Sequence, residues 1–169
     1  MNSSFLPEFS GAQMTAILQG NDEQLLEALA QPLHEELYRQ QSFDFLDRLS
    51  QGQQLLLLFD YLRNNMSGGG IIQLLHNGYA GLLVDMPGWF HTLGAPLVAT
   101  LVDDMIGFYL KHREQLDARL FVQEFARLYE ALPEAEQLDQ RFREQTPAAI
   151  RTIAAFVRAN PGTFFRLVP

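Results

Sequence analysis

QQLLLLFDYLRNNMSGGGIIQLLHNG, Gln53–Gly78, joins the most hydrophobic run of the chain to three consecutive glycines and a second apolar segment. Leucine at 55, 56, 57 and 58 makes the first segment apolar nearly all round a helix, the mark of a central, buried element. Ser50 and Gln53 have the capping-box spacing that starts such a helix, which is expected to end near Met66. A phosphate-cradling reading of the glycines needs a preceding strand and a closing Gly-Lys-Ser/Thr, whereas here a helix precedes and no lysine follows. A nucleophile elbow at Ser67 needs Gly-x-Ser-x-Gly after a strand, and both the leading glycine and the strand are missing. A turn remains: Gly68 to Gly70 can adopt positive φ and let the helix IIQLLHN fold back without Cβ clashes. Gln73 and Asn77, four apart, share a face of that helix, where their amides are expected to satisfy loop backbone groups. Asn77–Gly78 is an ordinary helix ending.

Working outward, the spacing is helical almost everywhere and no alternating strand stands out. DEQLLEAL predicts a helix capped at Asn21 or Asp22, and Pro32 is expected to open a second one, PLHEELYRQQ. Ser42 is a cap before FDFLDRL. Residues 97–111 set a polar stripe of Thr100, Asp103, Asp104, Gly107 and Lys111 against a broad apolar face. Phe121, Val122, Phe125, Leu128, Tyr129 and Leu132 give another one-faced helix. The last is expected to be capped by Thr146, opened by Pro147, to bury Ile150, Ile153, Ala154 and Val157, and to stop at Asn-Pro-Gly. With no repeat, low-complexity tract or linker, the reading is an all-α chain, residues 1–169 forming a single compact domain of about eight packed helices.

The 169 residues suffice to bury a substantial core without a disulfide or metal staple, and the absence of cysteine closes the thiol chemistries. MNSSFLPEFSG has neither a basic n-region nor an apolar h-region, and LLLLF falls far short of the roughly 20 residues that span a bilayer. A cytoplasmic location without membrane contact is expected. Charge is uneven: residues 1–110 carry 12 acidic and 3 basic side chains, net −9, and residues 111–169 carry 8 acidic and 9 basic, net +1. An acidic amino-terminal surface repels nucleic acid and favours basic partners.

Catalytic constellations are weak. His34, His76, His91 and His112 lack ligand spacing, so neither a metal nor a cofactor is expected. Asp103 with Asp104, and Glu35 with Glu36, are neighbours that point about 100° apart on a helix and do not converge on one substrate atom. Asp60 interrupts LLLLFDYL on a helix read as buried, where an unpaired charge is costly; Arg63 or Asn64 is its expected partner in a structural pair. The chain reads as a protein that is not an enzyme.

YLRNNMSGGGIIQLLHNGYAG followed by FHTLGAP resembles the DMP-nineteen-like family of bacterial DNA-mimic proteins, long treated as a domain of unknown function. The family's signature is a helix, then Glu-Val-Asn-Asn-Gly-Gly-Phe, one residue, Gln-Phe-Phe, one residue and Asn, with Ile-Gly-Ala downstream. Gly69, Gly70, Gln73 and Asn77 match directly, and Leu93, Gly94 and Ala95 stand for the downstream element. Ile71, Leu74 and Leu75 replace aromatics. Asn65 stands where the family has an acid, and Ser67 with Gly68 replaces the asparagine pair. FARLYEALPEAEQLDQRF and IAAFVRANPGTFF are similar to the family's closing helices, so the likeness covers about residues 50–165. It implies an acidic all-α protein, dimeric, that occupies the DNA-binding surface of a transcription factor, with carboxylates in place of phosphates.

Charge density bounds that implication. Residues 21–47 hold Asp22, Glu23, Glu27, Glu35, Glu36, Asp44 and Asp47 against Arg39, net −6. If helical throughout, this is one net charge per ~7 Å against one per ~1.7 Å along duplex DNA, so mimicry requires folding to gather the acids. These seven are the expected partner-binding residues. The function expected is a non-catalytic decoy covering a basic, nucleic-acid-binding surface of a partner protein, without binding nucleic acid itself. The alternative is an immunity protein that plugs a bacterial toxin.

Overall fold

The computed structural model describes residues 4–118 and 122–169. In chain order the described elements are strand β1 (Glu8–Ser10), helices α1 (Gly11–Gln19) and α2 (Asp22–Gln40), a 3-10 turn (Phe43–Arg48) and α3 (Gln51–His76). A 3-10 turn (Tyr79–Leu83), α4 (Met86–Thr92), α5 (Pro96–Leu116), a 3-10 turn (Val122–Glu124) and α6 (Phe125–Ala131) follow. The chain closes with α7 (Glu134–Ala159), a 3-10 turn (Pro161–Thr163) and strand β2 (Arg166–Val168). The all-α class read from the spacing holds. The exception is small: β1 and β2 pair in parallel, Phe9 opposite Leu167, in a two-stranded sheet that three-residue segments could not announce by alternation.

Residues cluster into two compact units, 1–60 with 150–169 and 61–149. In the first, Leu25, Leu29, Leu33 and Leu37 form the buried stripe of α2, and Leu55 to Phe59 of α3, Ile153 and Val157 of α7 and Phe164 are buried as well. Gln53 is fully buried and satisfied on every side. Its Oε1 accepts from Ser50 N–H at 2.9 Å and its Nε2 donates to the carbonyls of Phe5 and Phe164, both at 3.1 Å. The capping-box glutamine thus also ties down both terminal segments. In the second unit, Ile71, Ile72, Leu74 and Leu75 are buried, as are Phe90 of α4 and Leu101, Met105 and Phe108 of α5.

Two prolines were expected to open helices and instead lie inside them. Pro32 is within α2, and Pro147 is within α7. An interior proline removes one helical hydrogen bond at a cost of about 3 kcal/mol. Continuous apolar stripes run past both, through Leu29, Leu33 and Leu37 and through Phe142, Ala149 and Ile153, and their burial outweighs that cost. Thr146 accordingly caps nothing; its hydroxyl donates back to the Phe142 carbonyl at 2.7 Å. Asn21 is the cap of α2, with a reciprocal capping box to Gln24. Ser42 is also a cap, of a 3-10 turn. The polar stripe of α5 is exposed as expected. The next helix forms from Phe125, buried with Leu132 on one face; Phe121 lies outside the described residues.

Candidate functional site

The seven acids named from sequence all belong to the first unit, and the structure divides them. Asp22 accepts from Arg158 Nη1 at 2.6 Å, while the same guanidinium reaches the carbonyls of Gly20 and Leu18, closing the α1–α2 corner. Glu36 is held by Arg39 at 2.5 and 2.8 Å and by Gln40 Nε2 at 2.6 Å. The Arg39 hydrogen bond, then that of Gln40, draws its carboxyl down to about 2. These two acids are used within the chain. Glu23, Glu27, Asp44 and Asp47 are exposed, as is Glu35, whose carboxylate accepts from Gln31 Nε2 at 2.7 Å. Positions 23, 27, 31 and 35 repeat every four residues, so the three glutamates rise along one face of α2 at about 6 Å per step, with Gln31 between the second and third. Asp44 and Asp47 project from the following 3-10 turn.

The glycine stretch lies in the second unit and is not a separate loop. α3 continues through Gly68 and Gly69, and only Gly70 leaves helical geometry, at φ 70° and ψ −168°. The first helical segment therefore runs three residues past Met66, to Gly69, and the expected break falls at Gly70, beyond which a second segment, Ile71 to His76, begins. The kink is pinned from outside. Ile71 N–H donates to Asp139 Oδ1 at 2.8 Å, and the Tyr129 hydroxyl donates to Asp139 Oδ2 at 2.6 Å and lies 3.3 Å from the Gly69 carbonyl. A Cβ at Gly70 would run into that hydroxyl and that carboxylate, so the position needs glycine for space as well as for its backbone angle. Burial pushes the Asp139 carboxyl above the ordinary aspartate range, although Tyr129, the Ile71 N–H and Arg143 pull it back. Burial, then the hydrogen bond to Asp139, raises the Tyr129 phenol.

The other motif residues fall around this kink. Gln73 lies against Gly69, where any side chain would collide with it. Asn77 donates to Asn65 Oδ1 at 3.4 Å, a contact between side chains where a contact to loop backbone was expected. Gly78 ends α3 at φ 82°, and Gly94, at φ 75°, turns α4 into α5. Asp139 escaped the sequence reading, yet it left a signal. It occupies an apolar-stripe position of α7 between Ala135 and Phe142, where an acid needs a partner. Asp60, back in the first unit, is 2.8 Å from His34 Nε2, a partner 26 residues away that local spacing could not supply.

A family model described as DMP19-like protein matches residues 47–160, which include the whole glycine kink and its Asp139–Tyr129 pin. The chain belongs to the DMP19-like protein family. No curated protein matches it. All five motif residues, Gly69, Gly70, Gln73, Asn77 and Gly94, fall inside the DMP19-like span. Of the seven acids, only Asp47 does; the α2 stripe precedes it. Among the described residues no three His, Asp or Glu side chains are grouped to hold a metal, and no helix is long and apolar enough to cross a membrane.

Proposed function

We propose that this DMP19-like protein is a non-catalytic, cytoplasmic binding protein whose acidic face covers a basic, nucleic-acid-binding surface of a partner protein. The observation that carries the reading is the exposed stripe of Glu23, Glu27 and Glu35 on α2, followed by Asp44 and Asp47 on the next turn. Like-charged neighbours at i,i+4 destabilise an isolated helix by about 0.2–0.5 kcal/mol per pair, a cost that binding would explain. The two acids nearest arginines, Asp22 and Glu36, serve as braces, so the binding charge resides on the other five. Exposed carboxylates in a row steer a cationic partner and set the salt dependence of its association.

The test is affinity capture from native bacterial extract on the immobilised protein at low salt, with salt-step elution, mass spectrometry, and a parallel column carrying the Glu23→Gln/Glu27→Gln variant. A DNA-binding protein retained by the parent, released by moderate salt and displaced by its own operator DNA supports the decoy. Equal retention on both columns counts against it. A toxin held through high salt would assign the protein to immunity instead.

A further inference from the structure

Helix α2 carries an aromatic side chain in the line of its acids. At about 100° per residue, Tyr38 comes round to the middle of the arc that Glu23, Glu27 and Glu35 cover, one turn beyond Glu35. It is 79% exposed, the most open large apolar side chain among the described residues. Phe43, 54% exposed, follows at the start of the next turn, directly before Asp44. The other large apolar side chains exposed among the described residues are all aliphatic, and none lies between Glu23 and Asp47. A single exposed apolar residue is ordinary on a surface; that both exposed aromatics fall among these acids is a pattern. Among the described residues neither ring contacts another ring, and the Tyr38 hydroxyl has no hydrogen-bond partner.

Glu35, three residues before Tyr38, is the adjacent carboxylate on that face. Gln31 donates to its Oε1 at 2.7 Å, which steadies the carboxylate and leaves Oε2 to an outside donor. The chain's own neighbouring guanidinium is drawn elsewhere: Arg39 is clamped at 2.5 and 2.8 Å to Glu36, about 100° further round the helix than Glu35. A carboxylate beside an unstacked phenol ring suits one cation in particular. The planar guanidinium is weakly hydrated, lies flat on an aromatic face and donates to a carboxylate at the same time. The compact, strongly hydrated ammonium of lysine makes the charge contact and gains less from the ring. Tyrosine and arginine are also among the side chains that dominate interface energetics. We propose that the acidic face recognises arginine in its partner, one guanidinium stacking on Tyr38 while pairing with Glu35, so that an arginine-rich basic surface is preferred to a lysine-rich one of equal charge. The inference rests on the acidic face being the binding face and adds its selectivity.

The experiment titrates hexa-arginine and hexa-lysine peptides into the ¹⁵N-labelled full chain at constant ionic strength and reads affinities from the amide shifts. Both peptides are expected to shift amides of residues 23–47, with hexa-arginine about two- to fivefold tighter, the range of an exposed cation–π contact. Tyr38→Ala, at a position exposed to solvent, should bring hexa-arginine down to the affinity of hexa-lysine. Tyr38→Phe, which keeps the ring, should retain the advantage. Equal affinities in the parent, an advantage that survives Tyr38→Ala, or one lost in Tyr38→Phe would overturn the arginine preference and leave the acidic face standing. Absence of shifts at residues 23–47, or affinities unmoved by Glu23→Gln/Glu27→Gln, would instead overturn the acidic face, and the preference with it.

Discussion

Carboxylates do opposite work in two regions of this molecule. At the Gly70 kink a single buried acid, Asp139, spends both oxygens on its own chain and is raised toward its neutral form by burial. Along α2 and the turn after it, Glu23, Glu27, Glu35, Asp44 and Asp47 stay in water, where like charges repel weakly and each remains ready for an external cation. The buried acid is strongly coupled to the fold and unavailable to a partner. The exposed acids are nearly decoupled from the fold. Charge count alone would rank the two regions by acidity; burial decides which acids are structural.

The sharpest way to break the comparison is Gly70→Ala. It forces an alanine to φ 70° and drives its Cβ into Tyr129 and Asp139, so a loss of about 2–5 kcal/mol is expected in urea unfolding. A near-neutral result would mean that the pin yields easily. Asp139→Ala comes next, because it orphans the buried Ile71 N–H and the Tyr129 hydroxyl at about 1–3 kcal/mol for each group left unpaired. Chemical denaturation of that variant beside Tyr129→Phe, which removes only one donor, would apportion the two.

The pH dependence separates the acids by sign. Asp139 has a folded-state pKa above its unfolded value, so the native state binds the extra proton, and its contribution is greatest at low pH and declines as pH rises through the folded pKa. Glu36 runs the other way: its contribution is present above the ordinary glutamate range and is lost as pH falls toward about 2. Asp139→Asn should therefore flatten the decline on the upward side, and Glu36→Gln should blunt the acid limb, both read from stability measured across pH 2 to 8. The smallest effect belongs to the exposed face. Glu23→Gln/Glu27→Gln should stabilise the free protein by a few tenths of a kcal/mol, from about 0.2–0.5 per relieved pair, while shallowing the salt dependence of any basic partner's association. Destabilisation by a full kcal/mol would mean that the stripe braces the fold after all.

Much of this arrangement was legible in local spacing. Asn21, one of the two caps the spacing allowed, Ser50 with Gln53, Ser42 and Gly78 act where the sequence placed them, because caps depend on neighbours three or four residues away. Pro32 and Pro147 misled for the same reason. A proline's local preference is to start a helix, and only burial of the stripes on either side reveals that both helices run on. The glycines were correctly read as backbone devices, but a glycine run cannot say which member carries the kink. Gly70 is singled out by Tyr129 and Asp139, which are distant in sequence.

By itself, then, the sequence determined the helical class, most of the caps and the acidity of the amino-terminal part, which follow from composition or from contacts a turn apart, and, through its motif residues, the family. Tertiary structure alone decided that Asp60 meets His34, that Arg158 takes Asp22 out of the acidic face, and that Asp139 rather than a local residue locks the glycine kink. Those partners lie 26, 136 and 68 residues apart. Local pattern does not encode such pairings; they are fixed when burial removes water and each polar group must find its partner in the folded chain.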